Sequence, residues 1–234
     1  MNIIEDNLAI WNSSLFKSLP VAGLLSRNPV AYKWKATFRC WMLGEAVFWR
    51  MNDLMARSYE LHKQGHLLGA RILLRCGFET LATLIYLNQL IHRVMNGRMN
   101  FHVFCDKTNR LLAGSRNGTT KHKSINIVTV LEKCEKSYPG LVKFYADLSE
   151  SAHPNFEGLC FGYSKVDHNE YETNFSNRWC ELYGERHLDV MELCMESFHV
   201  EYNDVWPDLI GKFENWVEVN NTILEATKND PLPI

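Results

Sequence analysis

The sequence predicts an all-α protein: a mostly antiparallel bundle of about six or seven helices, with one small β-hairpin inserted after residue 154. Three observations carry this. Residues 30 to 138 contain no proline, which leaves room for long helices. Within that stretch apolar residues recur at threes and fours, the period of one helix face. Strand-like composition is confined to a short run around Asp167-His168-Asn169.

Taken in order, residues 1–29 are a lead-in. Ile3 to Phe16 suits a short amphipathic helix, and Pro20, Gly23 and Pro29 interrupt the remainder of this segment. Residues 30–153 are the bundle core. Trp34, Phe38, Trp41, Phe48, Met51, Met55 and Tyr59 mark one long helix, ended by a turn at Gln64-Gly65-His66. The next helix, Leu67 to Met95, is apolar on nearly every side, the mark of a central helix. A short helix is expected over 98–113 and another over Ile125 to Lys136, capped by Ser124. Tyr138-Pro139-Gly140 is a turn, and a helix from Leu141 to Ala152 comes next. Residues 154–176 form the irregular, hairpin-bearing insertion. Residues 177–228 hold two closing helices, with Pro207 at the start of the second. The whole reads as a single helical domain, 1–234.

Composition narrows the function classes. Hydrophobic content of 46% and charged content of 22% are those of an ordinary globular protein. A net charge of -2 argues against a general nucleic-acid coat but leaves room for a local basic patch. Seven scattered cysteines without a Cys-x-x-Cys pair, and no secretory start, point to free thiols in the cytoplasm. No uninterrupted apolar run is long enough to cross a membrane. No metal or cofactor fingerprint is present. Glu192, Glu196 and His199 resemble half of a di-iron motif, but no second copy exists.

The residues that invite chemistry lie on two helices. Arg71, Arg75 and Glu79 are spaced i, i+4, i+8 on the most apolar helix, where an unpaired charge is costly. Arg75 therefore needs Glu79 or a group from another helix. Tyr145, Ser149 and His153 also recur every four residues, and Pro154 should end their helix at His153. Packing of the two helices would gather Arg75, Glu79, Ser149 and His153 into one polar cluster, flanked by Tyr145 and Asn155. Two readings stand: a catalytic site, or hydrogen bonds and ion pairs that hold the structure. A second place is the loop Gly114 to Lys123. It carries Arg116, Lys121, His122 and Lys123 without an acidic residue, ahead of a helix N-terminus. It suits either an anion such as phosphate or a solvated connector.

The segments Arg71-Ile-Leu-Leu-Arg75-Cys-Gly-Phe-Glu79 and Tyr145-Ala-Asp-Leu-Ser149-Glu-Ser-Ala-His153-Pro-Asn155 resemble the HEPN-like helical proteins of prokaryotes. The resemblance spans roughly residues 66 to 165. It implies a protein that acts on or binds RNA or nucleotide, working as a homodimer in defence or toxin systems. In the ribonucleases of that family, an Arg precedes a His by four to six intervening residues and cleaves RNA without metal. Here the positions upstream of His153 are Ala146, Asp147 and Leu148, with no Arg. Arg75 would have to supply the guanidinium from the neighbouring helix. The alternative is a non-catalytic interaction module on the same scaffold. Phe48-Trp49-Arg50, with aromatics on two faces of one helix, marks a possible dimer face.

Overall fold

The computed structural model describes residues 3–232. It is helical apart from two small two-stranded sheets. Ten α-helices are present among the described residues rather than six or seven. Some of the difference lies in short segments near the prolines. After α1 (Ile3–Ser14), the helix α2 (Val21–Arg27) stops at Asn28, which then caps α3 (Pro29–Lys33). The Asn28 Oδ1 accepts the Ala31 N–H at 2.8 Å, and Pro29 occupies the first helical position.

The proline-free stretch supplies two helices of 29 residues each, α4 (Lys35–Lys63) and α5 (Leu67–Met95). Gly65 joins them with φ at +76°, and the His66 N–H returns to the Leu61 carbonyl. That left-handed exit is the ordinary use of glycine after a helix. Then come α6 (Phe101–Ala113), the two-residue strands β1 (Gly114–Ser115) and β2 (His122–Lys123), and α7 (Ile127–Cys134). The cap of α7 is Asn126, whose Oδ1 accepts the Val128 N–H at 3.0 Å, and not Ser124 as expected. α8 (Leu141–Ala152) ends where Pro154 requires: His153 turns to extended backbone, with ψ at 147°.

The insertion opens with a π-helical turn, Phe156–Phe161. Gly158 lets this turn pass against the His153 carbonyl, where any Cβ would collide. The expected hairpin comes next, β3 (Ser164–Asp167) antiparallel to β4 (Glu172–Phe175). Its aromatics face outward: Tyr171 is 94% and Phe175 81% exposed. α9 (Trp179–His199) runs through a second π turn, Val200–Val205, into α10 (Trp206–Ala226). No helix among the described residues is long and apolar enough to cross a membrane.

The chain forms two compact units. The first comprises Met1–Ser13, Arg50–Leu81 and Glu135–Ser197. Trp179 is its largest fully buried side chain, packed on Leu67 and Ala70 with Tyr163 and Tyr183 around it. The second comprises Ser14–Trp49, Ala82–Cys134 and Phe198–Ile234. Phe101, Phe104, Phe213 and Trp216 stack at its centre. Phe48 belongs to this core, 3% exposed against Phe198 and Tyr202. Trp49 is exposed, but its indole N–H donates to the Phe16 carbonyl and Lys17 lies over its ring. The buried Glu214 carboxylate ties four elements of this unit together. It accepts hydrogen bonds from Arg27, Tyr32 and Trp41. Truncation of Glu214 to Ala leaves three donors unanswered and should lower the unfolding free energy by about 3 kcal/mol in urea titrations.

The first unit also pairs a buried histidine, His187, with a half-buried one, His62. His62 and His187 stack with ring centroids 5.4 Å apart. Ser58 donates to the Ala70 carbonyl, so its contact with His187 Nε2 at 3.2 Å makes that nitrogen the donor. His62 Nε2 likewise donates to the Gly184 carbonyl. Both Nδ1 atoms are buried without a partner. Burial, then the neighbouring His62 and Arg71 charges, push the His187 imidazole down from 6.5 to about 3. Between those values the unfolded chain binds the extra proton, so stability rises with pH across that window and is lost as pH falls through it. The expected loss is on the order of 4 kcal/mol. Urea midpoints from neutral pH down to pH 3 should fall more gently in His187→Gln; parallel curves would refute the assignment.

Candidate functional site

Most of the predicted cluster comes together in the first unit. Arg75 on α5 donates from Nε to Ser149 Oγ at 2.8 Å and from Nη2 to the Tyr145 hydroxyl at 2.5 Å, both on α8. The Tyr145 hydroxyl donates in turn to Glu79 Oε1 at 3.2 Å, and Arg75 and Glu79 form an ion pair at 3.3 Å. Ser149 Oγ passes its proton back to the Tyr145 carbonyl at 2.7 Å. The guanidinium also lies 4.7 Å from the centroid of the Tyr145 ring. The four-residue spacings on α5 and α8 therefore meet as two facing rows, and every hydroxyl in the network both gives and accepts.

His153 lies outside this network. It is exposed, and its imidazole makes no hydrogen bond among the described residues. The helical spacing that places Tyr145 and Ser149 on one face fails for His153 because the backbone has already left the helix there. Asn155 does not join either: its Oδ1 accepts the Gly158 N–H, and its Nδ2 donates to Glu150 at 2.5 Å. It caps the π turn.

One helical turn before Arg75, Arg71 makes a second, deeper network that the sequence did not single out as a site. Arg71 is only 5% exposed. Its Nε donates to Ser151 Oγ at 2.8 Å, and its Nη2 to the Asp147 carbonyl at 3.2 Å. Ser151 Oγ donates to Glu157 Oε1 at 2.7 Å, and Glu157 stands 3.7 Å from the guanidinium. The Tyr183 ring lies against Arg71, 3.9 Å from ring centroid to guanidinium carbon. The spacing i, i+4 on α5 foretold that Arg71 and Arg75 share a face. Nothing local in the sequence pairs Ser151 with Glu157 across Pro154.

The basic loop is in the second unit. Arg116, Lys121, His122 and Lys123 line a cavity of about 530 Å³ together with Ser115, Thr120, Ser124 and Asn126. No carboxylate lines it. Its shape is held by the loop's own hydroxyls: Thr120 Oγ1 donates to the Ala113 carbonyl at 2.5 Å, and Asn117 closes a turn onto Thr119. Gly118 supplies φ of +78° at the tip. Arg110 donates to the Lys123 carbonyl and Asn109 contacts the His122 ring. Arg116, Lys121 and Lys123 are exposed and make no side-chain hydrogen bond or ion pair among the described residues.

Arg57 and His62 have four residues between them, within the ribonuclease spacing, but they divide their contacts: Arg57 pairs with Glu60 and Asp53, His62 with Gly184. No protein-family model, curated protein or solved structure matches the chain. The Arg75 network has a measurable signature. Arg75→Ala strips Tyr145, Ser149 and Glu79 of a shared donor and should lower the unfolding free energy by about 2–4 kcal/mol. Arg75→Lys should recover only part of that, because an ammonium lacks the guanidinium fork. Equal stability of the wild type and Arg75→Ala in urea would contradict the network's structural weight.

Proposed function

We propose that this chain is a HEPN-like helical module that binds the phosphates of RNA or of a nucleotide through the loop at residues 115–126. The observation that carries the reading is the cavity lined by Arg116, Lys121, His122 and Lys123 and by no carboxylate, in a chain whose net charge is -2. Unspent cations gathered in one concavity attract a polyanion, and the chain as a whole does not. Exposed lysines supply charge, and the Ser, Thr and Asn groups around them supply neutral donors. The HEPN-like resemblance adds the expectation of a homodimer and of a role in prokaryotic defence or toxin systems. The seven free cysteines accord with a reducing, cytoplasmic setting.

A second reading, metal-independent RNA cleavage, is favoured by one observation. His153 is exposed and unengaged, four residues beyond the Ser149 that holds Arg75. An imidazole without a fixed partner is free to take or give a proton. Against it stands the state of Arg75, whose Nε and Nη2 are already bound by Ser149 and Tyr145. Binding without cleavage is therefore the primary reading.

Both are tested with the full chain and total RNA in EDTA. The wild type should retain RNA on a filter, and the triple variant Arg116→Ala, Lys121→Ala, Lys123→Ala should bind more weakly. The slope of log affinity against log salt should flatten by about two to three units in that variant. Unchanged affinity and slope would remove the loop from the account. RNA that stays intact at high protein concentration supports binding alone, whereas cleavage lost in His153→Ala would favour the second reading.

A further inference from the structure

Beside the Arg71 network lies a separate cavity of about 180 Å³, the room of about six waters. Its wall differs from that of the basic loop. Two guanidiniums, Arg71 and Arg186, meet three carboxylates, Asp147, Glu150 and Glu157. Phe144, Leu148 and Val190 form an apolar side. Part of the charge is internally matched: Arg186 pairs with Asp147 at 3.2 Å. The rest is not. Arg71 uses Nε and Nη2 on protein groups, while its Nη1 makes no hydrogen bond among the described residues. A buried guanidinium with an idle donor at a cavity wall is a group waiting for an acceptor. Tyr183 stacks on it and fixes its plane. Opposite in sign, Glu157 accepts from Ser151 through Oε1, and Glu150 accepts from Asn155 through Oε2. Each carboxylate has capacity left for a further donor.

A simple anion is disfavoured here, because three carboxylates face it. A simple cation meets two guanidiniums. The complement of such a wall is a molecule that carries both charges and a small apolar part. We propose that this cavity binds a free α-amino acid with a short aliphatic side chain. Its carboxylate lies on Arg71 Nη1, its ammonium lies toward Glu150 and Glu157, and its side chain rests on Phe144, Leu148 and Val190. The site is independent of the phosphate loop, so either can fail alone.

The test uses the full chain in calorimetric titrations with the standard amino acids, each probed singly. At least one aliphatic member should bind. Its decarboxylated amine and its deaminated acid, probed in the same way, should each bind at least about tenfold more weakly. Glu150→Gln changes one exposed charge and should weaken the amino acid about tenfold while the melting temperature holds. Arg71→Lys should abolish binding, with circular dichroism used to confirm that the variant is folded. If Arg71→Lys does not fold, Glu150→Gln and the two truncated ligands decide. Absence of binding by any amino acid overturns the proposal. So does equal binding of the amino acid, the amine and the acid, or undiminished affinity in Glu150→Gln.

Discussion

A guanidinium cannot be buried without answering its donors, and the first unit carries two of them on its most apolar helix. Ion desolvation costs several kcal/mol, so α5 can hold Arg71 and Arg75 only if another element brings oxygen to them. α8 does so. Ser149 and Tyr145 meet Arg75, and Ser151 with the Asp147 carbonyl meets Arg71. Glu79 and Glu157 supply the counter-charge. Much that is distinctive in this unit stems from that need. α8 is rich in hydroxyls where a bundle helix would ordinarily carry Leu or Ala. The π turn after it returns Glu157 to within 2.7 Å of Ser151, which a longer loop would not guarantee.

How much of this was legible in the sequence depends on the range of the rule used. The fold class was, because proline absence and apolar period act over many residues. The Arg75, Glu79, Tyr145 and Ser149 network was as well: two rows at four-residue spacing can meet only if the helices pack. The same four-residue spacing does not bring His153 into the network. Pro154 ends the helix at that residue, so its side chain departs from the row. The Arg71 network was missed because its partners sit on either side of that break. A π turn leaves no signature in residue type. The histidine pair was missed for a related reason: His62 and His187 are far apart in sequence, and no local spacing links them. At the start of α7 the expected cap, Ser124, gives way to Asn126, because the helix begins two residues later than its apolar pattern suggests.

The two candidate binding places illustrate how sign pattern sets ligand class. At residues 115–126 cations stand alone, and the field there has one sign. Around Arg71 both signs alternate over a few ångströms, so long-range attraction cancels and recognition falls to hydrogen-bond geometry. The first should respond strongly to salt. The second should be nearly indifferent to it.

The hairpin after Pro154 has a consequence for handling the protein. β3 and β4 pair only with each other among the described residues, so each leaves an open edge, and Phe156, Tyr171 and Phe175 stand in solvent beside them. Such an edge invites self-association unless charge repels the approaching strand. Asp167, Glu170 and Glu172 provide that repulsion within a few residues of the tip. The guard is a set of carboxylates with a single lysine, Lys165, among them. It weakens as salt screens those carboxylates. Concentrated stocks should therefore scatter more light as salt is raised at neutral pH, and the excess should clear on dilution into low salt.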